Sequence, residues 1–236
     1  CSTFILRSDV SVPPAIPDPP EHCRRCGTCC LKGGPVLHRA DIARVRQGHL
    51  PLKDLMTICP GEPVHDNVHG RIRHTASDLV KIQPRSGSSA CRYYNALQRR
   101  CTIYERRPIQ CRVLKCWDTK AIEALYDRDP LTRKDLLGEI PGLWDLVATH
   151  MRRCDHQENA RRAEQIHAGT EGWQRAEAAL LESMRFDQSL RDLIQAQGRP
   201  DPALLFFLLG RPLIQRLIPL RLKLERQVDG YHLVPL

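Results

Sequence analysis

Apolar residues recur at helical steps mainly in the second half of the chain. Leu143, Val147, Met151 and Cys154 follow one another at steps of 4, 4 and 3, and Trp173, Ala176, Leu180 and Met184 repeat nearly the same stripe. Such spacing turns one face of a helix toward a core. Upstream, "DTKAIEALYD" (118–127) and "TRKDLLGEI" (132–140) read as helices, each opening on an Asp or Thr able to cap free amides. The last segment, "RLKLERQVDGYHLVPL", alternates around Leu222, Leu224 and Val228 and reads as a β-hairpin turning at Asp229-Gly230.

The first half is less regular. "SVPPAIPDPP" (11–20) holds five prolines in ten positions and reads as an extended leader, because proline denies helix to itself and to the residue before it. "HRADIARVRQGH" (38–49) predicts a short amphipathic helix with Ile42 and Val45 on one side, and "LKDLMTI" (52–58) predicts another helical turn or two. "GRIRHTASDLVKIQP" (70–84) has β character, and "PRSGSSA" (84–90) is a loop. Cys91–Tyr94 and Cys101–Tyr104 are expected to pair as a hairpin across "NALQRR". The fold class expected is α+β and α-rich: a cysteine-cluster metal module with a small β-hairpin, then a C-terminal helical segment ending in a β-hairpin. Its divisions fall at 1–20 (proline-rich leader), 21–117 (metal-binding module) and 118–236 (mainly helical).

Composition narrows the function classes. Of 236 residues, 42% are apolar, enough for a core, while aromatics at 5% favour a Leu/Ala-rich helical body over a β-sandwich. The net charge of +9 is spread along the chain without an accompanying nucleic-acid motif, so it reads as a solvated arginine-rich surface and nucleic acid is not an expected partner. "ALLFFLL" (203–209) is too short for a membrane span, which needs about 20 residues. Residues 1–20 lack a secretory pattern, and a cytoplasmic location is expected. The opening Cys1 is read as a truncated or mis-started frame rather than a lipid-modified terminus.

Eleven cysteines change the picture most. Nine lie between Cys23 and Trp117, and clustering without export points to metal rather than disulfides. "CRRCGTCC" sets Cys23, Cys26 and Cys29 at the C-x2-C-x2-C spacing of ferredoxins, with Gly27 allowing a tight turn. Cys30 is the unusual element: neighbouring side chains diverge along a regular backbone, so one compact centre would not easily use both Cys29 and Cys30. A second run brings Cys91, Cys101, Cys111 and Cys116, with Pro108 fitting a helix start that leaves Cys111 in the first turn. Cys111 and Cys116 serve one centre only if that helix ends or bends between them. Cys154 lies on an apolar stripe and reads as core packing, and Cys59 has no spacing partner. His65, His69 and His74 read as surface or structural residues. No catalytic residue is assigned.

The two spaced motifs, Cys23-x2-Cys26-Gly27-x-Cys29-Cys30 and then Cys91, Cys101, Ile103-Tyr104-x2-Arg107-Pro108-x2-Cys111-Arg112 and Cys116, resemble those of the YkgJ-type CxxCxxCC cysteine-cluster family. That resemblance spans residues 22–117. It implies zinc or iron chelation by Cys23, Cys26, Cys29, Cys30, Cys91, Cys101, Cys111 and Cys116. Tyr104, Arg107 and Arg112 are expected to support these ligands by offsetting thiolate charge. Three classes follow. An iron–sulfur centre in electron transfer or redox sensing is favoured; a structural zinc domain presenting its surface to a protein partner is the alternative. The third, an enzyme akin to flagellin lysine-N-methylases, comes from the resemblance alone, and no S-adenosylmethionine loop is recognisable. Metal analysis separates the first two; neither zinc nor a cluster is dictated by soft thiolate ligands.

Overall fold

A computed structural model describes residue 23 and residues 25–236; the proline-rich leader and Cys1 lie outside them. Helix accounts for 44% and strand for 18%, a helix-rich α+β fold. The first part runs α1 (Thr28–Leu31), α2 (Ile42–Arg46), β1 (Leu55–Ile58), β2 (Pro63–Asp66), β3 (Arg71–His74), β4 (Leu79–Ile82), β5 (Tyr94–Asn95), β6 (Arg100–Cys101) and α3 (Ile109–Val113). Then come α4 (Lys120–Leu125), α5 (Arg133–Leu137), α6 (Leu143–Arg153), α7 (His156–Ala168), α8 (Trp173–Gly198), α9 (Leu204–Leu208), β7 (Leu222–Gln227) and β8 (Gly230–Pro235). The strands pair antiparallel as β1–β4, β2–β3, β5–β6 and β7–β8.

The stretch 52–58 departs from expectation. Only Leu52–Asp54 is a 3-10 turn; Leu55–Ile58 is strand, with all four residues buried. β4 pairs with its edge and α9 packs against it, so its apolar run is continuous rather than alternating. Thr57 fits there because its hydroxyl donates to the Phe207 carbonyl at 2.7 Å. The terminal hairpin forms as expected, but its turn is Val228-Asp229, one residue earlier, and Gly230 opens the return strand with φ 142°.

Several helices start where a side chain meets their free amides. Thr132 and Asp135 form a reciprocal capping box at α5, and Asp155 accepts from the Glu158 amide at 2.8 Å at α7. Val147 of the α6 stripe is fully buried, and Ala176 and Leu180 of the α8 stripe are buried too. One core cluster gathers Leu37, Leu55 and Ile82 with Leu131, Leu137 and Phe207, on both sides of residue 117. A second lies under the terminal hairpin, around Ala163, Leu180, Leu222 and Leu233.

Ion pairs run through the first core. Asp78, just before β4, takes Arg133 Nη2 and Nε at 2.7 and 2.8 Å, while Arg133 Nη1 donates to Leu208 O at 2.7 Å. Arg133 is fully buried, so each of these bonds answers a charge with no water to turn to. The contact binds the β1–β4 ribbon to α5 and α9.

Candidate metal centre

The first cysteine run is shaped by Gly27. It holds φ 82° at the start of α1, and the Leu31 amide closes the single turn on the Gly27 carbonyl at 2.9 Å. The buried Tyr94 ring lies against Gly27 so closely that a Cβ there would overlap it. Tyr94 is also the strand partner of Cys101 in β5–β6, so one aromatic residue links the two cysteine runs. The Cys91 amide adds a second link, donating to the Cys30 carbonyl at 2.7 Å. Cys111 is the third residue of α3, and that helix ends at Val113, before Cys116, which meets the condition the spacing imposed.

Thiols from both runs come together. Cys29 Sγ lies 4.0 Å from Cys30 Sγ, against the expectation that neighbours diverge; a single helical turn is short enough for side-chain rotation to aim both sulfurs the same way. The hydrogen bond from Cys30 lowers the Cys29 thiol to about 6, and Cys30 is pushed up in return as the proton's holder. Burial pushes Cys111 up to about 12, reinforced by negative charge on Cys91, Cys29 and Cys101. Burial likewise raises Cys91 and Cys101, opposed by the amides of Tyr93 and Ile103 respectively. Cys26 is lowered by the Thr28 hydroxyl, 3.3 Å away, and by the Thr28 amide.

A pattern emerges from these pairs. Cys26, Cys91 and Cys101 each face the amide two residues onward, a turn that supports a thiolate on a metal. Thiols that each oppose the ionisation of the others need a cation to ionise together, and a sulfur-only donor set fits a soft or borderline metal. Lys81 faces Cys91, and Arg107 faces Cys101 and Cys111. Arg107 lies over the Tyr104 ring at 3.9 Å and donates to the carbonyls of Tyr104 (2.6 Å) and Cys111 (3.3 Å); Arg25 lies over the same ring at 4.3 Å.

Six of the eight expected ligands therefore form a connected group: Cys26, Cys29, Cys30, Cys91, Cys101 and Cys111. Cys23 and Cys116 are exposed, and among the described residues no hydrogen bond ties their sulfurs to the rest. Arg112 is exposed as well. The exposed His65, His69 and His74 fit their surface reading, and His69 Nδ1 is bonded to Asp66.

Sequence reasoning missed a different set. Cys59, Glu62 and His156 bring ligand-type atoms within 4.8 Å of one another, and so do His150, Cys154 and Asp187. Cys154 is buried, as its stripe implied, but it lies beside a histidine and a carboxylate. The available signal was the i, i+4 pair His150/Cys154 on one face of α6.

Small antiparallel ribbons present two remote cysteine runs to one another, the arrangement a sulfur-ligated metal would use. Residues 22–128 match the model of the CxxCxxCC family, whose description reads "Putative zinc- or iron-chelating domain". The match supports metal chelation; residues 129–236 lie outside it. Neither a curated protein nor a solved structure matches the chain. Among the described residues, no helix is long and apolar enough to cross a membrane.

Proposed function

We propose that the CxxCxxCC domain carries an iron–sulfur centre and works in electron transfer or redox sensing. Its ligands come from the eight cysteines, with Cys26, Cys29, Cys30, Cys91, Cys101 and Cys111 at the heart of the set. The observation that carries this reading is the size of the thiol group. A single zinc takes four ligands. Here six thiols from two remote runs are engaged with one another, more than one such ion takes. Amides directed at Cys26, Cys91 and Cys101 are also the groups that tune a cluster's potential. When bound, the cluster supplies one-electron chemistry; the chain supplies ligands, amide dipoles, and the charges of Arg107 and Lys81.

Beside Cys26 lies a cavity of about 520 Å3 lined by Arg25, Gln98, Arg99 and Arg100, and its basic rim suits an acidic protein partner. The closeness of Cys29 and Cys30 favours a second reading, in which the two share a zinc ion and the domain is structural. Potentiometric titration of the anaerobically purified protein, followed by electron paramagnetic resonance, separates the readings. A reversible one-electron wave with a cluster signal supports the proposal. A protein that carries stoichiometric zinc and takes up no electron overturns it.

A further inference from the structure

We propose a second metal site, apart from the cysteine cluster, that takes a borderline divalent cation of the zinc class on Cys59, His150, Cys154 and His156. All four residues line one cavity of about 310 Å3 where the β1–β2 connection meets the junction of α6 and α7. Cys59 stands with His156 in one group of ligand atoms and His150 with Cys154 in a second, so that one ion joins the two pairs by side-chain rotation. Three of them fall in the short run His150-x3-Cys154-x-His156, and Cys59 comes from the β1–β2 connection to lie beside His156. The Cys154 amide donates to the His150 carbonyl at 2.8 Å, which keeps both side chains on one face as α6 ends.

Hydrogen bonds decide which atoms are left for a metal. Glu62 Oε1 accepts from the Cys59 amide at 2.9 Å, and Oε2 is held by Arg211 at 2.8 Å and Arg216 at 3.2 Å. Asp187 Oδ1 takes His150 Nε2 at 2.8 Å and Arg191 Nε at 2.9 Å, and Oδ2 takes the Leu213 amide at 2.8 Å. Both carboxylates are occupied. The ion-paired Asp187 is acceptor-only, so His150 Nε2 carries the proton and Nδ1 carries the lone pair. His150 is 2% exposed, and among the described residues its Nδ1 has no hydrogen-bond partner. A buried ring nitrogen left free, with its opposite nitrogen fixed by a carboxylate, is the arrangement of a metal-ligating histidine.

The thiols are similarly available. Cys59 donates to Leu209 O at 3.9 Å and faces the Arg133 guanidinium, which favours its thiolate, and Cys154 donates to Ser183 O at 3.6 Å; these are weak thiol bonds that a metal can replace. Charge then selects the class of ion. Glu62, Asp78 and Asp187 already face Arg133, Arg191, Arg211 and Arg216, so a hard oxygen-seeking cation would meet guanidinium groups and saturated carboxylates. A zinc-class ion binding two thiolates and two neutral imidazoles releases two protons and adds no net charge. Bound there, it clips the helical segment to the cysteine-bearing one.

The site does not depend on what the cysteine cluster holds, and the test keeps the two apart. Cobalt(II) is titrated into the full-length protein and into His150→Gln, Cys154→Ser and the cluster variant Cys101→Ser/Cys111→Ser, with circular dichroism as the folding check. His150→Gln and Cys154→Ser are each expected to bind one cobalt fewer per chain, while the cluster variant retains that equivalent. A folded His150→Gln protein that keeps its full cobalt complement overturns the proposal. Should the variants not fold, zinc X-ray absorption on the unaltered protein decides. A shell containing two sulfurs and two nitrogens supports the site, and a sulfur-only shell refutes it.

Discussion

Replacing Gly27 with alanine tests the turn that gathers the sulfurs. Two costs add. A non-glycine residue in the left-handed region, here at φ 82°, costs about 1–2 kcal/mol. The new Cβ would come within 2.5 Å of Tyr94 Cε2, and overpacking of this kind costs about 1–3 kcal/mol more. Tyr94 is only 6% exposed and has little room to move aside. The total is therefore about 2–5 kcal/mol, shared between metal affinity and folding according to how far the metal-free turn relaxes. At about 1.4 kcal/mol per decade, a fully relaxing turn loses about one and a half to three and a half decades of metal affinity. Chelator competition measures the affinity and urea denaturation the stability, and their summed losses should reach this range. Adding Tyr94→Leu should recover the steric part and leave the backbone part. Unchanged affinity together with unchanged stability in Gly27→Ala would refute this account of the turn.

Arg107→Ala should lower the centre's midpoint potential, because loss of a cation near Cys101 and Cys111 favours the oxidised state, and it should lower metal content; if both stay unchanged, Arg107 only braces Tyr104. Asp78→Ala leaves the Arg133 guanidinium buried without its carboxylate and should cost about 3–5 kcal/mol in urea denaturation. A loss below about 1 kcal/mol would mean that water reaches Arg133. Asp66 is the pH-sensitive position: burial disfavours its anion, but the His69 amide and ring and the Val68 amide outweigh that and lower it to about 2. Its folded-state value thus lies below the unfolded one, so its contribution is complete above about 4 and is lost as pH falls toward 2. Hydrogen exchange in β2–β3 should accelerate across that window in the wild type and not in Asp66→Asn; a carboxyl that titrates near 4 in a nuclear magnetic resonance series contradicts this.

Local spacing made much of this molecule readable. The α6 and α8 stripes and the hairpin across "NALQRR" follow from periodicity and turn spacing within short windows of sequence. One departure has its origin in distant packing: Leu55–Ile58 resembles a helical turn until β4 and α9 cover it. The cavity between Cys59 and His156 was unreadable for the same reason. Cys59 and His156 are 97 positions apart, and Cys59 belongs to no spaced motif. The two cysteine runs were legible because their short spacings stand in the sequence itself, whereas the Cys29–Cys30 contact depended on side-chain rotation that spacing does not record.

The most direct test of the iron–sulfur assignment is the iron, zinc and acid-labile sulfide content of protein expressed with excess iron and purified without oxygen. The account predicts a brown protein in which iron and sulfide are bound in matching amounts, both lost in Cys101→Ser/Cys111→Ser. A colourless protein holding zinc at the cysteine cluster, with neither iron nor sulfide, would contradict it.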